Sequence, residues 1–278
     1  MKKFSTAVFF FLMSSAACAA PPAIEKRSPQ VRLIALPPAT SSSFISHSLP
    51  KQRPPVVFLS SLAIKQAPRI AGFELSQSLG GLHQTVYAQG ELNKISTFDV
   101  VRNWQKIMDP VSGQLLGVAG LRIGKVELVQ AATLHNPTHT FLVTHASAEL
   151  SVGDVLLPPL QQDWPHDVFD GQTYKGNAIH GRVATLMREG LWAGSMDVVA
   201  INLGSQQGMR LGTTLSVLKQ AKIDSSSATE TSPPTVMQNM ATLIVFDVSE
   251  LAAFALVMQA SDIIALGDRV VTVQANGK

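Results

Sequence analysis

One cysteine, Cys18, occurs in 278 residues, and it falls inside an N-terminal export signal. Lys2 and Lys3 form the basic start, Val8 to Met13 an apolar core, and Ser14 to Ala20 a run of small residues. Ala17 and Ala19 stand at the −3 and −1 positions of a signal-peptidase site, which makes residues 1–19 the signal. The VFFFLM core is too short to span a bilayer. Cleavage after Ala19 leaves a chain without cysteine, which excludes disulfides, a thiolate nucleophile and a Cys-based zinc site. Lipidation of Cys18 would call for a Leu-led tripeptide before it; Ser15-Ala16-Ala17 is a poor match. The expected location is the periplasm, free or associated with the outer membrane.

Charge and aromatics are also scarce, at 15% and 6%. Loss of Lys2 and Lys3 with the signal lowers the formal net charge from +3 to +1. No Lys/Arg cluster remains to track a phosphate backbone, so nucleic acid is excluded as a partner. A hydrophobic content of 46% is enough for a sizeable core.

Residues 20–55 are rich in Pro, Ser, Lys and Arg and predict an extended, disordered leader. Beyond it, short runs of Val, Ile, Leu and Thr alternate with Gly, Asp, Asn and Pro, the pattern of a mainly antiparallel β protein. Expected strands are Thr85–Gln89, Phe98–Arg102, Gln114–Gly120, Lys125–Gln130, Thr140–His145 and Asp154–Leu157 in a first domain, 56–158. Gly181–Met187, Asp197–Ile201, Thr213–Leu218, Ala241–Asp247, Ala253–Gln259 and Arg269–Val273 belong to a second, 177–275. A Pro/Asp/Gly connector, 159–176, separates them, and 221–236 reads as a flexible loop in the second. Short helical pieces are expected near Ser60–Lys65 and Ser249–Ala252. The architecture implied is two small SH3-like or curled barrels.

The stretch INLGSQQGMRLGTTLSVL carries Gly204, Gly208 and Gly212. No Lys follows any of them, as a phosphate loop requires, and the spacing fits neither G-x-G-x-x-G nor G-x-S-x-G. LSVGDVLLP (150–158), MRLGTTLSV (209–217) and IALGDRVVT (264–272) echo one another. Gly153, Gly212 and Gly267 each precede an Asp or Thr able to bond back to the turn before a strand begins. With Gly204 and Gly208 they are expected to be structural turn glycines. Val198–Ile201 and Thr213–Leu218 are the strands they would join.

Chemistry-bearing residues are present but scattered. His135, His139 and His145 are too far apart along an extended chain to share one ion. Strand parity places His139 and His145 on the side of Phe141 and Val143. Asp163, His166 and Asp167 sit together in DWPHD without a nucleophile, and Trp164 reads as an anchor for the connector. Trp104 and Trp192 fit core positions or sugar contacts. Glu127, Glu149, Asp154, Asp197, Asp247 and Asp268 form no paired-carboxylate pattern. No catalytic residue, metal or cofactor is expected.

Several blocks together resemble a Gram-negative envelope family that carries a LysM peptidoglycan-binding domain. These are MDPVSGQLLGVAGLRIGKVELV (108–129), LSVGDVLLP, WPHDVFDGQTYKGNAIHGRV, VVAINLGSQQGMRLGTTLSVL and FALVMQASDIIALGDRVV (254–271). They resemble that family's DP-x-[ST]-G, GD-x-LLP, G-R-[IV], N-x-G and ALVM-x-A-S…GD-x-V segments, in order, across roughly 85–275. The family's LysM motif is missing from residues 20–84, so none of its wall-binding residues has a counterpart here. The resemblance implies a non-enzymatic, peptidoglycan-associated binding or scaffold role, with peptidoglycan or envelope proteins as partners. An accessory role in assembling a periplasmic machine through exposed strand edges is the alternative, and a wall hydrolase the remote one.

Overall fold

The computed structural model describes residues 49–74, 77–160, 163–164, 177–220 and 237–273. The signal, the leader up to residue 48, the loop 221–236 and most of the connector lie outside the described residues.

Strand β1 (Val56–Phe58) and helix α1 (Ser61–Gln66) open the fold. They lead into β2 (Arg69–Phe73), β3 (Leu79–Gly80), β4 (Thr85–Gln89), β5 (Thr97–Met108), β6 (Leu115–Gln130), β7 (His139–Ala146), β8 (Leu150–Ser151) and β9 (Val155–Leu157). The pairing order β6-β5-β9-β2-β4-β7 returns to β6, so six antiparallel strands close a barrel, and β1 adds to the N-terminal half of β6. The second half of the chain supplies β10 (His180–Leu186), β11 (Trp192–Ala193), β12 (Val198–Ile201), β13 (Thr214–Gln220), β14 (Met237–Val248), β15 (Ala253–Ala260), β16 (Ile264–Ala265) and β17 (Arg269–Thr272). Strands β10-β12-β15-β14-β13-β17 close a second antiparallel barrel. Two-stranded ribbons, β3–β8 and β11–β16, cap the respective barrels.

The fold is therefore mainly β, as the alternating pattern demands. In β4 the inward residues Val86 and Ala88 are fully buried while Thr85, Tyr87 and Gln89 are not. Expected strands run longer or merge in two places: Phe98–Arg102 lies within β5, and Gln114–Gly120, from Leu115 onward, joins Lys125–Gln130 in a single sixteen-residue strand, β6. Ser249–Ala252 is a turn rather than a helix, closed by Ser249 N–H on the Ala252 carbonyl. Strands β1 and β2 were not foreseen. Closure gives every strand of both rings two neighbours, so among the described residues the strand edges left open are those of β1 and of the two ribbons.

The two barrels are copies of one topology. Pairings β2–β4, β2–β9, β4–β7, β5–β6, β5–β9 and β6–β7 recur as β10–β12, β10–β17, β12–β15, β13–β14, β13–β17 and β14–β15. The match extends to register. Ile70↔Ala88, then a bulge, then Gly72↔Tyr87 is repeated as Val183↔Ile201, a bulge, and Thr185↔Ala200. Val100↔Gly124, a bulge and Val101↔Arg122 reappear as Val217↔Ala241, a bulge and Leu218↔Asn239. Even side-chain bonds repeat: Ser147 Oγ donates to the Ile123 carbonyl and Ser261 Oγ to that of Met240, both at 3.0 Å.

Each barrel has its own interior: Phe98, Val100, Ile123, Phe141 and their neighbours in the first, Val199, Leu215, Leu243, Val257 and theirs in the second. A third apolar cluster lies between the barrels. Ile107 and Ala119, with Val56 and Phe58 of β1, meet Val198, Ala200, Ile244, Phe246, Phe254 and Leu256 on the outer face of the second barrel. That is why β12 is buried on both faces. Phe254 stacks on Phe58 at 4.0 Å and neighbours Phe246, which Trp164 approaches edge-on at 5.8 Å. Trp164 Nε1 donates to the Pro50 carbonyl at 2.8 Å, and Leu49 packs into the same cluster. Arg53 lies over Phe246 and pairs with Asp247 at 2.5 Å. Leu49, Pro50 and Arg53, from the end of the expected leader, thus pack against the second barrel and Trp164.

Candidate functional site

Gly153, Gly212 and Gly267 are placed by one turn, with a left-handed third residue, that recurs five times among the described residues. In Ser151–Asp154, Arg210–Thr213 and Ala265–Asp268, the last side chain accepts the backbone N–H three residues earlier, at 2.7, 3.3 and 2.8 Å. The third residue of each turn is Gly153 (φ 94°), Gly212 (φ 77°) and Gly267 (φ 84°), a left-handed position suited to glycine. Two further turns carry no glycine there. Gly81–Gln84 and Gly194–Asp197 make the same bond at 2.6 and 2.8 Å, with His83 (φ 63°) and Met196 (φ 71°) in the left-handed position. These two occupy equivalent places in the two barrels, as do Ser151–Asp154 and Ala265–Asp268.

Gly208 (φ 84°) ends a single 3-10 turn, Ser205–Gln207, and Gly204 precedes it. A Cβ on Gly204 would lie 2.3 Å from the Glu250 carbonyl oxygen, so only glycine lets the two backbones meet there. The stretch runs from β12, through this turn and Arg210–Thr213, into β13 at Thr214.

The joint between barrels is also polar. Asp109, in the turn between β5 and β6, accepts the N–H groups of Val111 and Ser112 through Oδ1, both at 2.8 Å. Its Oδ2 accepts Asn202 Nδ2 at 2.7 Å, and Asn202 Oδ1 accepts the Arg182 N–H at 2.6 Å. The Asn202 bond, then the two backbone bonds, lower the Asp109 pKa to about 2. Residues of the DP-x-S-G and N-x-G blocks are thereby joined across the molecule. Nothing in their sequence spacing signals that contact. Replacing Asn202 by Ala is expected to move the Asp109 titration, followed by carboxylate NMR, back up toward the ordinary range. A depressed folded pKa stabilises above the unfolded value and loses that contribution as pH falls toward 2, so the variant loses part of its stability above pH 4 and gains nothing below. A midpoint still near 2 would show that Asn202 is not the cause.

Other shifted groups are similarly engaged. Asp247 is raised by burial, against the lowering effect of Arg53. The Arg102 guanidinium is raised by its bidentate bond to Asp154, the side chain that also closes the Ser151–Asp154 turn.

The remaining candidates are not brought together. His139 is half-buried, its Nδ1 accepting Ala132 N–H and its Nε2 beside the Gly90 carbonyl. His145 does not share the inward side of Phe141 and Val143. A register shift leaves Thr144 out of the β6–β7 ladder, and His145, opposite Lys125, points outward. His135 is exposed, Trp164 buried and Asp163 exposed beside it; His166 and Asp167, and the side chain of Trp104, lie outside what is described. Among the described residues no group of three His, Cys, Asp or Glu is placed to hold a metal.

Three surface features stand out. A cleft of about 400 Å³ on the first barrel is lined by Arg122, Lys125 and His145, with buried Asp99 at its floor. A second, of about 490 Å³ on the second barrel, is lined by His180, Arg182, Asn202, Leu218, Met237 and Arg269. The β11–β16 ribbon exposes Trp192 at 55%, flanked by Leu191 and Leu266, both more exposed still.

The fold and its joint define a tandem of duplicated six-stranded barrels locked into one body. No protein-family model matches this chain, and comparison with curated proteins found no match.

Proposed function

We propose that the protein is a non-catalytic scaffold of the cell envelope that associates with peptidoglycan. The observation that carries this reading is the exposed Trp192, held on the β11–β16 ribbon at the end of a rigid barrel. A solvated indole on a fixed support offers a face on which a sugar ring stacks, and the exposed Leu191 and Leu266 extend it with an apolar flank. The engagement of Asp109, Asp154 and Asp247 in structural bonds supports the non-catalytic part, because each is spent on holding a turn or the barrel joint. The export signal and the envelope-family resemblance support the location.

Purified mature chain should sediment with insoluble sacculi at ordinary salt, and Trp192→Ala should lose most of the bound fraction with its melting temperature unchanged. Wild-type protein left in the supernatant would overturn wall association. Equal sedimentation of both proteins would move the contact away from the ribbon.

A further inference from the structure

Duplication makes each barrel a control for the other, and at one place they differ. In the first barrel Arg69 of β2 donates to the Gly153 carbonyl at 3.3 Å and, through its other terminal nitrogen, to the Ile64 carbonyl of α1 at 2.9 Å. Arg182 holds the same position in β10. It donates to the carbonyl of Gly267, the counterpart of Gly153, at 2.8 Å, and its guanidinium makes no second bond to a described residue.

The surroundings diverge in the same way. Val101 and Val155 face each other on β5 and β9 and are sealed under Leu59 and Ile64, from the segment that contains β1 and α1. Their counterparts, Leu218 and Arg269, are paired in the same register on β13 and β17, but Leu218 is half-buried and Arg269 exposed. With His180, Arg182 and Met237 they line the 490 Å³ cleft. Two pairs further along, on the same face, Asp99 accepts the Leu160 N–H at 2.7 Å. Its counterpart, Ser216, is buried, and its Oγ has no hydrogen-bond partner. The first barrel is closed over by its own chain, while the second presents the same frame without a cover among the described residues.

Charge specifies what would fit. Arg182 and Arg269 are direct cross-strand neighbours, a like-charge pair that weakens a sheet unless an anion lies between them. Neither forms an ion pair with a described carboxylate. Helix α1 contains no acid, and its only charged residue is Lys65, which suits Val155 but not Arg269. Guanidinium pairs favour carboxylates held bidentately, and Leu218 and Met237 supply an apolar wall beside them.

We propose that this face of the second barrel docks an acidic peptide segment of a partner protein, seated as residues 56–66 are seated on the first barrel. The site is separate from the Trp192 ribbon, so sacculus sedimentation does not report on it.

The probe is a labelled synthetic peptide with the sequence of residues 55–67, carrying Lys65→Glu and Gln66→Glu, titrated into the full mature chain by fluorescence anisotropy. Saturable binding is expected, at least tenfold weaker to Arg269→Glu and intermediate for Arg269→Gln. The unmodified peptide, which keeps Lys65, should show the reverse preference. Arg269→Glu places an acid opposite Arg182, so its melting temperature should be equal or higher, and lost binding then reflects the site rather than the fold. Absence of saturable binding, equal binding to wild type and Arg269→Glu, or displacement of the peptide by soluble wall fragments would each overturn the proposal, the last by giving the cleft to a wall ligand.

Discussion

Phe254→Ala is expected to destabilise the protein by about 3–5 kcal/mol, the range for truncating a fully buried aromatic. Phe254 is completely buried, stacked on Phe58 of β1 and adjacent to Phe246, so its loss empties the middle of the seam between barrels. The melting temperature should fall by roughly 10 °C or more. Because each barrel keeps its own interior, the variant should also separate into two unfolding transitions, visible by calorimetry. One unchanged cooperative transition with a loss below about 1 kcal/mol would mean that the seam contributes little and the interiors carry the stability.

A comparable loss, about 3 kcal/mol at pH 7, is expected for Arg53→Met, which leaves the Asp247 carboxylate in the seam without its cation. Its pH dependence gives the test its sign. Burial already raises the Asp247 pKa, and removing Arg53 takes away the opposing effect. A carboxyl whose folded pKa lies above its unfolded value contributes stability that is complete below the unfolded pKa and is lost as pH rises through the folded one. Arg53→Met should therefore be most impaired near neutrality and recover as the medium is acidified through the raised pKa. Pairing it with Asp247→Asn should restore most of the loss at pH 7. A defect independent of pH would assign the role of Arg53 to its packing on Phe246.

Much of the strand pattern could be read from alternation alone, and the Gly-Asp and Gly-Thr turns from their recurrence. The duplication could not. It resides in which residues face each other and where the bulges fall, while the facing residues themselves differ, as with Val155 and Arg269 or Asp99 and Ser216. Two of the five turns were hidden because His83 and Met196 take the conformation that glycine advertises. The division of β6 into two strands came from treating its glycines as punctuation. Gly120 instead makes room for Leu59, whose Cδ1 would lie 2.6 Å from a Cβ there. The packing of Leu49 to Arg53 was masked by neighbouring prolines and serines, since a local composition rule does not see a distant Phe246 or Asp247. For the same reason Asp109 and Asn202 gave no sign of meeting.

Barrel closure also sets when the chain can finish folding. Each ring is completed by pairing its first strand with its last, β2 with β9 and β10 with β17, so neither can form a closed ladder until its final strand has been synthesised. Contacts between chain segments this remote form late, after the entropy of a long loop has been lost, which places such topologies among slow folders. For the second barrel the closing strand is Arg269–Thr272. The second ring therefore stays open until Arg269–Thr272 has been made, and removal of that strand would leave β10 and β13 each with one bare edge.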